Sequence, residues 1–263
     1  MEALRSAGLY SCVLVGAQAV YLRTADLQLT VPPYTFDADL CVDPRRFPNA
    51  RSIYRALVGA GFELRSREAG LFRYADAPEP YALAARVDIL VPELFAHRWS
   101  LEGYRRDDAF AAMSQPGLEL TLTDNTLLAV PPLEGVADDR TLTMRVAGPM
   151  SLLVAKGWKI GERYEQGPDA FAEVEKDVVD IYRLLVATQL DDLRGAVAAM
   201  PKDEPIREVA RKGAAHVSAL CTNNGAALKL LRQALPGEDA AIAVESLQFL
   251  ARRFGDLILR EDT

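Results

Sequence analysis

The sequence predicts an α+β protein in which a mixed β-sheet domain, residues 1–148, is followed by a helical domain, residues 149–263. Three observations carry this. Short apolar or alternating runs, punctuated by Gly, Pro and Asn, fill the first half of the chain. Past Pro149 the apolar residues recur at helical spacing. Half of the 263 residues are hydrophobic, which is enough to build a sizeable core and excludes a disordered chain.

The elements follow in order. Residues 2–10 predict a short opening helix. Ser11-Cys-Val-Leu-Val predicts a buried strand that runs directly into Gly16-Ala17-Gln18 and the helical spacing of Ala19, Val20 and Leu22. Residues 26–34, with Pro32 and Pro33, predict a loop, and residues 35–42 a strand. Pro44 ends that strand, and Asn49 caps a helix that passes Tyr54 and Leu57 to reach Gly59 and Gly61. Residues 62–67 and 71–75 predict a hairpin, followed by a strand over 86–91 that stops at Pro92. Residues 118–122 and 141–146 alternate as half-buried strands do, and 129–133 between them reads as extended or irregular. Pro149 suits a first helical turn, and helices are predicted from there on, over 169–188, 191–200, 205–220, 225–235 and 239–259.

The chemistry is concentrated in three acids. In the strand after the loop, alternation puts Phe36, Ala38, Leu40 and Val42 on one face and Thr35, Asp37, Asp39 and Cys41 on the other. In the 86–91 strand Val87, Ile89 and Val91 form the buried face, with Asp88 opposite. Pairing the two strands gathers three carboxylates that repel one another. A hard divalent cation such as Mg²⁺ or Mn²⁺ relieves that repulsion and keeps sites open for phosphate oxygens. The strand that turns through Gly16 into a helix offers backbone N–H groups at a positive helix end, a device that cradles phosphates.

Strand, glycine turn, helix, Asp-x-Asp strand and a later strand with a third acid, in that order, resemble the nucleotidyltransferase superfamily. Gly16, Asp37, Asp39 and Asp88 match its pattern position by position. Ala17 stands where a second glycine is usual, and Gln18 where the family has a small hydroxyl residue. The helical half narrows the likeness: Ser151 to Arg163 and Glu175 to Leu185 resemble the signature of AbiEii-type abortive-infection toxins. In that family a lysine, an arginine about two turns on and a Lys-Asp-x-x-Asp helix border the active site. Lys156, Arg163, Lys176, Asp177 and Asp180 occupy those positions here. The resemblance implies a nucleotidyltransferase-like sheet domain with flanking helices and a helical domain that completes a nucleotide cleft. Asp37, Asp39 and Asp88 would be the metal ligands and catalytic acids, with Lys156 beside them. Gly16, Ala17, Gln18, Thr35, Lys156, Arg163, Lys176, Asp177 and Asp180 would contact an ATP, GTP or CTP substrate. It also implies a bacterial toxin with a cognate antitoxin and tRNA as the acceptor. Independently of the family, Asp177 and Asp180 lie three apart on one helix face, positioned to orient Lys156 or Arg163.

Other features bound the reading. The net charge of −7 argues against a broad nucleic-acid-binding surface and leaves local patches, Arg45, Arg46 and Arg51 or Arg207, Arg211 and Lys212, as places to meet RNA. Cys12, Cys41 and Cys221 lack metal-like spacing and are expected as buried free thiols. His97 and His216 are too isolated for a zinc site or a catalytic triad. No apolar run reaches membrane-spanning length, so a cytoplasmic protein is expected with no membrane partner. Three functions fit these residues: an RNA-directed nucleotidyltransferase, a transferase acting on a small molecule of the antibiotic type, and a nucleotide-binding module without catalysis.

Overall fold

The computed structural model describes residues 12–27, 35, 37–46, 50–64, 70–75, 86–96, 112–130, 141–235, 237 and 239–259. The opening helix, the Pro32-Pro33 loop, Phe36, Asn49 and His97 lie outside these residues, as does the side chain of Arg51. The fold is α+β, and the chain divides into two compact units. One contains Met1–Ala19 and Tyr34–Ala147, the other Val20–Pro33 and Gly148–Thr263.

The first unit is built on strand β1 (Val13–Val15), three consecutive apolar residues that are all buried. A strand apolar on both faces belongs at the centre of a sheet, and β1 lies between β2 (Asp37–Cys41) and β8 (Leu142–Ala147). It pairs antiparallel with β2 and parallel with β8. Helix α1 (Gly16–Arg23) leaves β1 without a linker, because Gly16 takes the left-handed conformation, φ +68.

Beyond β2 the sheet continues through β5 (Arg86–Pro92), β4 (Leu71–Tyr74) and β3 (Phe62–Leu64). The β2·β5 pair is parallel and the β4·β5 and β3·β4 pairs antiparallel. Helix α2 (Ala50–Gly59) precedes β3, and Gly61, with φ +88, makes the turn between them. The short helix α3 (Glu93–Ala96) follows β5. Strand β6 (Met113–Gln115) pairs with Leu90–Pro92 of β5, past the residues that β4 uses.

Residues 118–122 correct the sequence expectation: Glu119–Leu122 is a turn of 3-10 helix, not a strand. Local bonds win there. The Thr121 hydroxyl donates to the Leu118 carbonyl at 2.6 Å and that of Thr123 to the Leu120 carbonyl at 3.2 Å. Glu119, Leu120 and Thr121 are buried in succession, so the alternation in sequence does not mark two faces. The Glu119 carboxylate accepts the Leu94 N–H at 3.1 Å, the second residue of α3. The strand instead forms as β7 (Asn125–Val130), taking in Ala129 and Val130 from the segment expected to be extended or irregular, and it pairs antiparallel with β8.

The second unit is helical from Pro149 on. Helix α4 (Pro149–Glu165) opens after Gly148, whose carbonyl accepts the Ser151 hydroxyl at 3.0 Å. The single helix expected over 169–188 is two, α5 (Pro168–Ala172) and α6 (Glu175–Ala187). Val174 leaves helical geometry at φ −96 and ψ 15 and buries its side chain; no Gly or Pro marks this break in the sequence. Helices α7 (Leu190–Ala198), α8 (Glu204–Cys221), α9 (Ala226–Ala234) and α10 (Asp239–Leu259) complete the unit.

Helices α4 and α8 pack along each other at glycines. A Cβ on Gly157 would collide with the Gly213 carbonyl oxygen, and one on Gly161 with the His216 ring. The Trp158 indole N–H donates to the Val209 carbonyl at 2.9 Å, which pins the same pair. Among the described residues, no helix is long and apolar enough to cross a membrane.

Candidate functional site

The register of β2 against β5 sets the acids. Asp37 is the partner of Arg86, Ala38 of Val87 and Asp39 of Asp88. In-register residues of neighbouring parallel strands present their side chains to the same face, with strands about 4.8 Å apart. Asp39 and Asp88 are therefore lateral neighbours, while Asp37 stands two residues, about 6.6 Å, along the same face. The Asp88 Oδ1 atom is buried, and the Thr35 hydroxyl donates to Asp37 Oδ1 at 2.7 Å. Arg86 faces Asp37 across the strand pair, a neighbour the motif reading passed over. Its place two residues before Asp88, on the same side of the pleat, was the signal for it.

The glycine turn meets these acids. Val15, the last residue of β1, is the partner of Asp39. A Cβ built on Gly16 would overlap Asp39 Oδ2, so glycine is required both by the positive φ and by the carboxylate packed on it. Ala17 and Gln18 follow in the first turn of α1, Ala17 buried and Gln18 half-buried. The first N–H groups of a helix have no partners within it, so this turn brings backbone donors beside a carboxylate pair.

The donor chemistry at Asp39 and Asp88, hard carboxylate oxygens on adjacent strands, fits a divalent cation. Among the described residues, no group of three or more His, Cys, Asp or Glu side chains is gathered to hold a metal ion. The fit is thus that of a facing pair with Asp37 flanking it.

The second set of expected residues lies in the helical unit. Lys156 is buried, with its ammonium donating to Asp177 Oδ1 at 2.6 Å and Asp180 Oδ2 at 2.7 Å. Lys159, which the sequence reading did not single out, reaches Asp177 Oδ2 at 2.9 Å. It lies three residues after Lys156, a spacing that shares one helix face. Burial alone would lower the Lys156 pKa, but the two carboxylates outweigh it and hold the ammonium well above its ordinary range. Burial alone would raise Asp177, and the two lysines outweigh that as well, lowering it to about 2. Two lysines and two aspartates make a cluster of zero net charge. Arg163 is not part of it: its guanidinium lies 3.3 Å from Gln166 Oε1 and 3.6 Å from Glu173. Lys176 is exposed.

No family model, curated protein or solved structure matches the chain. The functional reading therefore stands on the residues themselves. Gly16, Asp37, Asp39 and Asp88 belong to the first unit, and Lys156, Arg163, Lys176, Asp177 and Asp180 to the second.

Proposed function

We propose that the protein is a nucleotidyltransferase that moves a nucleoside monophosphate from an NTP to an acceptor hydroxyl. The observation that carries this reading is the register of Asp39 against Asp88, with the Gly16 turn packed on Asp39. Backbone N–H groups of the Gly16-Ala17-Gln18 turn hold the terminal phosphates, for which a helix start is suited. Asp88 takes the proton of the acceptor hydroxyl. The hydroxyl oxygen then forms a bond to the α-phosphorus as the bond to the bridging oxygen breaks, and pyrophosphate leaves with that electron pair. Mg²⁺ or Mn²⁺, held by Asp39 and Asp88 with Asp37 beside them, would supply neutralisation of phosphate charge. Thr35 fixes the Asp37 carboxylate through its hydroxyl.

Lys156 takes a different part from that of a phosphate ligand. With two carboxylates already on its ammonium it brings no net charge to a leaving group, and its work is to tie α4 to α6. The acceptor in this reading is RNA, with tRNA ends and an AbiEii-like toxin role following from the family likeness alone. A second reading, a small-molecule transferase, is favoured by the net charge of −7, which attracts a cationic acceptor and repels RNA.

Incubation with labelled NTPs, Mg²⁺ and total RNA tests the proposal. Label is expected in RNA with the wild type and is expected to fall at least about 100-fold with Asp39→Ala. Label in a small-molecule product with RNA untouched selects the second reading. NTP binding by calorimetry with no turnover of any acceptor reduces the protein to a binding module. Labelling that survives Asp39→Ala unchanged removes Asp39 from the site.

A further inference from the structure

The sheet has a second polar feature, at the end of β1 opposite Gly16. A cleft there has a volume of about 150 Å³ and is lined in part by Asp43, Arg46, Thr123, Asn125 and Arg145. One water takes about 10–15 Å³ on this measure, so the cleft has room for a tetrahedral oxyanion with some of its water. All of these residues belong to the first unit.

Its charge is set by which partners are already taken. Arg45 grips both oxygens of Asp43, Nε to Oδ1 at 2.8 Å and Nη2 to Oδ2 at 3.0 Å. Burial alone would raise the Asp43 carboxyl; those bonds outweigh it and hold it below its ordinary range, so it is an anion already matched by a cation. Arg46 is a second, looser ion-pair partner of Asp43, Nε to Oδ2 at 3.5 Å, and its side chain is 66% exposed. Arg145 comes from β8, where its partner on β1 is Val13. Its Nη1 donates to Asn125 Oδ1 at 3.0 Å, and Asn125 Nδ2 in turn donates to the Thr121 carbonyl at 2.8 Å. One guanidinium is thereby fixed in place by a relay to the backbone. Counting Asp43 and Arg45 as cancelling, Arg46 and Arg145 leave the cleft cationic in a chain whose net charge is −7.

We infer that this cleft is an oxyanion site that takes a phosphate group through Arg46 and Arg145, with the second N–H of the Asn125 amide as a neutral partner. Guanidinium groups match the geometry of phosphate oxygens, and two of them converging from different elements give a site that one surface arginine does not. The group it takes is either free, as in a small phosphate compound, or part of an RNA backbone. Phosphate capture at this cleft does not depend on the proposed transferase activity.

Calorimetric titration with inorganic phosphate at fixed ionic strength, without divalent cation, tests it. Saturable binding is expected in the wild type, unchanged in Asp39→Ala, and at least about tenfold weaker in Arg46→Gln and in Arg145→Gln. Arg46 is exposed enough that its variant will fold, and circular dichroism checks both. A short single-stranded RNA that displaces the phosphate identifies a backbone phosphodiester as the occupant; failure to displace it identifies a small phosphate compound. No saturable phosphate binding, equal binding by the double arginine variant, or binding lost in Asp39→Ala but kept in the double variant overturns the inference.

Discussion

Gly16 is the residue on which most depends. Its φ of +68 already disfavours any side chain, and the carboxylate of Asp39 occupies the space a Cβ would need. Gly16→Ala is expected to cost about 1–3 kcal/mol in stability and to displace Asp39. In the proposed transferase a displacement near 1 Å at the acids would lower turnover by about 100-fold. Thermal melting and the labelling assay measure the two effects separately, and a variant that melts normally and labels normally would remove Gly16 from the site. Ala17 is different: it is buried in the helix, so Ala17→Gly is expected to leave labelling within a few-fold of wild type while loosening α1 by about 1 kcal/mol.

Helices α4 and α6 are joined by a buried ionic cluster, and such clusters are far costlier to break than to replace. Asp180→Ala leaves Lys156 with one of its two carboxylates and is expected to destabilise the protein by about 3–5 kcal/mol. Replacing Lys156 and both aspartates together by apolar residues is expected to cost less than Asp180→Ala alone, a non-additivity that denaturant melts of the variants will read. The same cluster sets an acid limit. In the unfolded chain Asp177 titrates near its ordinary value of 3.8, whereas in the fold it holds off its proton until about 2. Its contribution is therefore complete above about pH 4 and lost as the pH falls towards 2. Urea midpoints across that interval should fall more steeply in the wild type than in a Lys156→Met variant, which lacks the main cause of the shift.

Across the whole molecule the two units are built from contacts of different range. The hydrogen bonds of the helices join residues four apart, while those of the sheet join β1 to β8 and β2 to β5 across long stretches of chain. Local contacts form faster. Refolding is expected to restore helical circular dichroism, whose hydrogen bonds are local, before Cys41 in β2 becomes protected from thiol reagents. All three cysteines are free and buried, and burial pushes each thiol up to about 12, so none is expected to react in the native protein. Simultaneous recovery of both signals would contradict the ordering. Much of this architecture was legible in the sequence, because periodicity and Pro149 report burial and helix starts directly. The acids on β2 and β5 were legible as sharing a face, since alternation fixes that; their pairing register was not, because register depends on the partner strand. The turn at Glu119–Leu122 was misread because Glu119 and Thr121 are buried with hydrogen-bond partners, so the polar positions of the alternation do not mark a solvent face. The break at Val174 left no composition mark at all. The motif singled out Lys156 as a neighbour of the nucleotide, but only its burial between Asp177 and Asp180 reveals that its ammonium is paired within the helical unit.

The central position of β1 has a consequence for synthesis. Its Val-Leu-Val segment is made before the other described strands, and β2 covers one of its edges soon after, yet the strand that closes the other begins only at Leu142. At about 5–20 residues per second the wait is on the order of ten seconds. For that time a wholly apolar ribbon has an open hydrogen-bonding edge, the feature most prone to pairing with another nascent chain. Messages truncated before the codons for β8 should therefore yield product that aggregates or is held by chaperones.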